Sequence, residues 1–386
     1  MTVQSRTGDS EERVTPLELF FDLVFVFAFT QVTALVTNDP TWAGLVKGLL
    51  VLSILWWAWV AYSWLTNTLD PENGEVRVVV FGAMTAMLVA SLAVPDVFGD
   101  DAFVFACAYA AIRIAHLALY AFAGRGDRDL LEAIARLSAG TLGSIVLLFV
   151  ASAFDGPAQT GLWALALLVD FSGVWIGGGR GWHLEAGHFA ERHGLIVIIA
   201  LGESIVAVGL GATNQLGVGV VAAAVLGLAI AGALWWAYFD VVAIVAEKHL
   251  REASGNAQLR MARDSYSYLH LPMVAGIILF AVGVKKTLAD MSDPLATVPA
   301  VALCGGVALY LVGHVLFRLR NVRTLNRQRL VVSVLLLVLI PIALELPALA
   351  TLATVAALCV GLIAYEAIRF AAARDRVRHP VEAPAS

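Results

Sequence analysis

Residues 15–36 read TPLELFFDLVFVFAFTQVTALV. From Leu17 to Val36 this is a run of about 20 residues, enough to cross a hydrocarbon core of about 30 Å as a helix. It carries two carboxylates, Glu18 and Asp22, spaced by four and therefore on one helical face. Phenylalanines surround it at positions 20, 21, 25, 27 and 29. Lipid would expel such a face, so the run reads as a first membrane span whose acids point into protein. The residues before it, 1–13, mix Arg6 and Arg13 with Asp9, Glu11 and Glu12. They lack the order of a signal peptide, so the span is expected to be uncleaved and the leading segment disordered.

The rest of the chain agrees. Of 386 residues 60% are hydrophobic and 14% are charged, against about 25% charged in soluble domains. Mean hydropathy is +0.83. The net charge of −5 and the lack of a basic, aromatic-laced stripe disfavour nucleic-acid binding. Cys107, Cys304 and Cys359 lie in apolar runs and form no disulfide framework. Breaks at Pro, Gly, Asn and Asp divide the chain into spans at about 17–37, 42–65, 76–95, 101–123, 133–154, 160–178, 194–213, 217–240, 268–289, 297–317, 329–346 and 348–371. Short links such as Asn38-Asp39-Pro40, Asp155-Gly156-Pro157 and Thr213-Asn214-Gln215 read as tight hairpins, and about 241–267 as a longer loop. With this count 21 of the 25 basic residues fall on one side. The positive-inside rule then places both termini in the cytoplasm. The tail after Arg374 is expected to be disordered.

Features recur in order along the chain. Asp22 of the first span is echoed by Glu203 of the seventh, 181 residues later. Trp56-Trp57-Ala58-Trp59 is echoed by Trp235-Trp236-Ala237-Tyr238, and His116 by His314. The fold expected is thus all-α: a polytopic membrane helix bundle of about 12 transmembrane helices, arranged as two parallel six-helix repeats. The repeats would occupy 14–180 and 194–372, joined by a cytoplasmic linker at 181–193, with 373–386 as the tail. Tryptophan clusters within a span are expected to pack between helices.

Each intramembrane charge costs at least about 2.5–3.5 kcal/mol on insertion scales and needs a partner or a wet cavity. Glu18, Asp22, Arg113, His116, Glu203, Ser204 and His314 are therefore the candidate sites. The economical pairing is Asp22 with Arg113 and Glu203 with His314. Such pairs can fix helix register, or they can carry protons or ions, since histidines and carboxylates change charge near neutral pH once burial shifts them. Asp170 is left open; Asp240 and Glu366, near the cytoplasmic ends, are expected to be solvated, and Glu345 interfacial. The segment His183–His193 holds three histidines and two glutamates, with His188 and Glu191 three apart as in carboxylate–histidine metal sites. It has no HExxH and no cysteine, so a cytoplasmic amphipathic segment is preferred to a metal site. No P-loop, GxSxG, voltage-sensor arginine ladder or potassium-filter sequence occurs. Gly177-Gly178-Gly179 follows a span and reads as a hinge. No catalytic residue, cofactor or metal is expected.

Two stretches carry a resemblance. Residues 15–26, TPLELFFDLVFV, and residues 191–206, ERHGLIVIIALGESIV, resemble the motifs of the bacterial low temperature requirement protein A family, LtrA. The resemblance implies an integral membrane protein linked by name to growth in the cold. It implies no settled activity and no catalytic residue; Glu18, Asp22, Glu203 and Ser204 are its motif positions. Residues 17–25 also resemble the Phe-Ser-Asp motif of a bacterial and lysosomal potassium-channel family with six-helix repeats, with Phe21 standing where that motif has serine.

The expected function is a secondary transporter or ion pathway using buried acid/base pairs, in the plasma membrane of a bacterium. The alternatives are a structural or cold-stress-adaptive membrane protein and an ion channel. A lipid-acting enzyme would need a nucleophile or metal constellation that only the His183–His193 segment could offer. The partners expected are the lipid bilayer and a small solute or ion, without nucleic acid. The sequence leaves substrate and oligomeric state open.

Overall fold

The first helix starts where its own side chains dictate. Thr15 and Glu18 form a reciprocal capping box, and Pro16 occupies the first helical position. In the computed structural model the described residues are 13–177, 182, 184–211 and 217–378. Residues 1–12, Gly178, Gly179, Arg180, His183, the Thr213-Asn214-Gln215 link and residues from His379 onward lie outside them.

Among the described residues every regular element is helical. The helices are α1 (Pro16–Asn38), α2 (Trp42–Thr66), α3 (Gly74–Ala93), α4 (Ala102–Ala123), α5 (Arg128–Ala151) and α6 (Gly156–Gly177). Then come α7 (Ala186–Gly211), α8 (Val218–Phe239), α9 (Val242–Glu252) and α10 (Gly255–Met261), which runs through a π turn (Ala262–Tyr268) into α11 (His270–Ala289). A short α12 (Thr297–Ala300) passes through a second π turn (Val301–Gly305) into α13 (Gly306–Val322), followed by α14 (Arg327–Ala343), α15 (Ala348–Arg369) and α16 (Ala371–Arg378).

Ten of the described helical stretches are long and apolar enough to cross a membrane. Twelve spans were expected. The two positions outside the ten are occupied by α6 and α14; α14 has 17 residues, about 26 Å of helix. The burial pattern is that of a membrane helix. On α1 the buried face holds Glu18, Phe21, Asp22, Phe25 and Phe29, while Leu19, Phe20 and Leu23 are 41%, 51% and 57% exposed. Apolar side chains face outward and carboxylates inward, the arrangement a lipid solvent selects.

The chain divides into two compact units, Met1–His193 with Ser254–Arg263, and Gly194–Ala253 with Asp264–Ser386. In the first, α5 and α6 approach closely: a methyl group on Gly140 would meet the Cα of Gly173 at 3.1 Å. In the second, α11 and α13 come closer still. A Cβ on Gly276 would stand 2.5 Å from the Gly306 carbonyl oxygen and 2.7 Å from the Tyr310 nitrogen. Small residues are what allow such backbone contact between membrane helices. Gly276→Ala should therefore lower the melting temperature of the detergent-solubilised protein, with an overpacking cost of about 1–3 kcal/mol. Gly361→Ala, where a methyl meets nothing within 4 Å, should leave it unchanged or raise it slightly. Equal melting of both variants would contradict this packing.

Four expectations need correction. The segment before Gly194 is not a loop: α7 begins at Ala186, and its first two turns bury His188, Arg192 and His193. Their polarity suggested solvent, but polar partners on α1 and α2 receive them. The expected loop at about 241–267 is mostly helical, because α9 presents a charged outer face carrying the Glu247–Arg251 pair at 2.7 Å. The tail continues as α16 to Arg378, with Arg374 donating to Asp240 Oδ1 at 2.8 Å. Trp56, Trp57 and Trp59 are buried as expected, but Trp235 and Trp236 are 44% and 41% exposed. Trp235 stacks on Phe239 at 5.4 Å, and the Arg374 guanidinium lies 5.7 Å from the Trp236 ring centroid.

Candidate functional site

The first unit buries a cluster of charges built from α1, α2 and the start of α7. Glu18 and Asp22 are four apart on α1, and His188 and Arg192 are four apart on α7, so each helix offers two groups on one face. All four side chains are at most 2% exposed. Arg192 Nη2 donates to Asp22 Oδ1 at 2.6 Å, and Nη1 donates to Thr66 Oγ1 at 2.8 Å. Nη1 also lies 3.6 Å from Glu18 Oε1. Trp59 Nε1 donates to the same Asp22 oxygen at 2.8 Å, and the guanidinium carbon lies 5.5 Å from the Trp59 ring centroid.

Glu18 Oε2 collects three donors: the Thr15 amide at 2.9 Å, the Thr15 hydroxyl at 3.0 Å and His188 Nε2 at 3.0 Å. The histidine's protonation follows from its other nitrogen. The Glu185 amide donates to one side-chain atom of Asn67 at 2.7 Å, so that atom is the carbonyl oxygen. The remaining atom is the amide nitrogen, which donates to the Glu185 carbonyl at 3.0 Å and to His188 Nδ1 at 3.2 Å. Nδ1 is therefore an acceptor without a proton, and His188 is neutral with its proton on Nε2.

Two carboxylates then face one guanidinium. Glu18 Oε1 and Asp22 Oδ2 are both buried without a hydrogen-bond partner. A narrow crevice lined by Leu17, Phe21, Tyr62, Thr66, Pro71 and Val80 reaches Glu18 and Arg192.

Two further buried arginines, Arg113 and Arg329, each pair with one carboxylate. Arg113 does not pair with Asp22. Its Nη2 donates to Asp170 Oδ1 at 2.8 Å and to Thr141 Oγ1 at 2.8 Å, and its Nη1 to the Trp57 carbonyl at 3.3 Å. Tyr109 donates to Asp170 Oδ2 at 2.8 Å. Both Asp170 oxygens are satisfied, and four helices are tied together. His116 is buried three residues on, edge-on to the Tyr120 ring at 4.9 Å. It touches neither carboxylate.

In the second unit His314 does not pair with Glu203. Its Nδ1 accepts from Arg329 Nη1 at 2.9 Å, so it too is neutral. Arg329 grips Glu366 through two parallel bonds of 3.1 and 2.9 Å. Glu366 and Asp240 are thus ion-paired, not solvated. Glu203 is buried in α7, and Ser204 beside it donates to the Leu201 carbonyl at 2.6 Å. His188 and Glu191 do not converge on a metal position: His188 faces Glu18, and exposed Glu191 accepts the Val14 amide at 3.1 Å.

Glu18 and Asp22 are the sequence candidates brought together here. His188, Arg192, Asn67, Thr66 and Trp59 were not recognised as their partners. A signal was present in the matched spacing of four on α1 and at 188–192, obscured by reading the latter as a loop.

Many apolar helices around buried, partnered charges define an integral, multi-pass membrane protein of helical class. Within that class the chain belongs to the bacterial low temperature requirement A protein (LtrA) family, whose sequence model matches residues 13–364. It is 32% identical over 312 residues to an uncharacterized protein of Rhizobium meliloti (strain 1021), covering 77% of this chain and 75% of that one. No solved structure matches the chain.

Proposed function

We propose that the protein is an ion pathway or secondary transporter of the bacterial cell membrane, with the Glu18–Asp22–Arg192 cluster as its charge-bearing centre. One observation carries the reading: two buried carboxylates share one guanidinium beside a neutral histidine, which leaves one negative charge in excess. A purely structural cluster has no reason to bury an uncompensated charge, whereas a site that loads and releases a cation or proton needs one. Arg113–Asp170 and Arg329–Glu366 are balanced and serve structure.

The same proposal places twelve spans in the membrane as two parallel six-helix repeats, with both termini cytoplasmic. The recurring order of acid, aromatic pair and histidine supports it. So does the occurrence in each unit of an arginine–carboxylate pair whose acid lies on a late helix, Asp170 on α6 and Glu366 on α15, and of a histidine beside a tyrosine, Tyr62–His116 at 5.8 Å and Tyr238–His314 at 5.6 Å. The lack of ATPase and hydrolase motifs supports a non-enzymatic role.

Flux in proteoliposomes tests the function. Asp22→Asn and Glu203→Gln should both yield folded protein and abolish ion-driven or proton-driven flux seen with the unaltered chain. Unchanged flux in both neutral variants, at normal accumulation, would leave only a structural role.

A further inference from the structure

We infer that the Glu18–Asp22 pair carries a single proton, and that Asn67 assigns it to the carboxylates by denying it to His188. This deepens the ion-pathway reading above by naming the ligand of that site, and it rests on it for any role in transport.

Arg192 neutralises one carboxylate, His188 is held neutral, and among the described residues no other cation reaches the cluster. The groups around it are few. Besides Glu18 and Asp22 themselves, α2 presents Tyr62 and the Trp59 indole. From α3 only apolar Val80 lines the crevice, while its charged residues Glu75 and Arg77 are exposed. From α7 and the residue before its start come Glu185, whose carboxylate caps the His188 amide at 3.0 Å, and His193, packed edge-on against Trp59 at 4.9 Å. The excess negative charge is therefore local to the pair.

The chemistry of the acceptors decides what compensates it. A hard metal cation takes about six or more oxygen ligands. Here only two carboxylate oxygens are uncommitted, Glu18 Oε1 and Asp22 Oδ2, and the crevice is too narrow to complete a hydrated shell. One proton needs one oxygen. Because the two carboxyls share Arg192 they titrate as a unit, and the proton belongs to the pair.

Asn67 is the positioning residue. With its oxygen committed to the Glu185 amide, it can offer His188 Nδ1 only N–H. A doubly protonated imidazole would set two donors face to face. His188 is thereby confined to donating Nε2–H to Glu18, a task a glutamine side chain can perform without any charge.

Infrared spectroscopy of the full-length protein in lipid nanodiscs at neutral pH tests this through the C=O stretch of a protonated carboxyl group. The unaltered chain should show such a band. Glu18→Gln and Asp22→Asn should each abolish it, since one carboxylate then matches one guanidinium. His188→Gln should retain it. Absence of the band in the unaltered chain, its persistence in both neutralised variants, or its loss in His188→Gln would overturn the inference. The same samples in proteoliposomes separate the two readings. A band without flux supports the proton site and removes the transport role, whereas flux without the band overturns the proton site alone.

Discussion

Arg192→Met should destabilise the protein by about 3–5 kcal/mol, the usual cost of stranding a buried charge. The side chain is fully buried and binds Asp22, with Glu18 beside it. Its removal leaves two buried carboxylates with no cation and Thr66 without its donor. The apolar replacement fills the volume but compensates nothing. Denaturation in detergent would read the loss directly. Asp22→Asn in the same chain should recover a substantial part of it, because the cluster's single proton then neutralises the one carboxyl group left, Glu18. The two substitutions must therefore be strongly non-additive. Arg192→Lys should fall between, keeping the charge but losing the fork that reaches Asp22 and Thr66 together. Wild-type melting of Arg192→Met would show that the cluster is solvated and that the geometry given above is wrong.

Arg113 and Asp170 give the second large effect, with a different signature. Arg113→Leu alone and Asp170→Leu alone should each cost about 3–5 kcal/mol, since each strands its partner between α4, α5 and α6. The double leucine variant should recover most of the loss. It removes a balanced pair that apolar side chains can replace, leaving mainly the Tyr109 and Thr141 hydroxyls to find new partners. Combining Arg113→Leu with Asp22→Asn should instead be additive, because those residues do not touch. If Asp22 rather than Asp170 rescued Arg113→Leu, the pairing across α4 and α6 would be refuted.

These outcomes separate two uses of buried charge within one chain. Asp170 and Glu366 have both oxygens satisfied and one arginine apiece. Such pairs tie neighbouring helices together. Glu18 and Asp22 each keep a bare oxygen in a cluster that is one charge short. The contrast lies in stoichiometry and hydrogen bonding rather than depth, since all of these acids sit at the same low exposure apart from Glu366.

The order of amino acids alone settles the solvent of this chain and its scaffold. Hydropathy is a local property, so most helices stand within a few residues of where their apolar runs stop, and the 191–206 and 15–26 motifs sufficed to indicate the family. Insertion cost is also local, which is why Glu18, Asp22, Arg113, Glu203 and His314 could be singled out without coordinates, and why Glu18 and Asp22 were expected to face inward. The partners were a different matter. Helical spacing tells which residues share a face but not which helix that face meets, and Asp22 had more than one arginine within the chain to choose from. Only the packing of α7 against α1 and α2 selected Arg192 over Arg113. The same packing turned the polar stretch at 186–193 from an apparent loop into two buried helical turns, because hydrogen-bonded partners there offset a desolvation cost that no local window can show to be compensated. The neutral state of His188 lay furthest from the sequence. It depends on Asn67, 121 residues away, and on which of its two side-chain atoms the Glu185 amide takes.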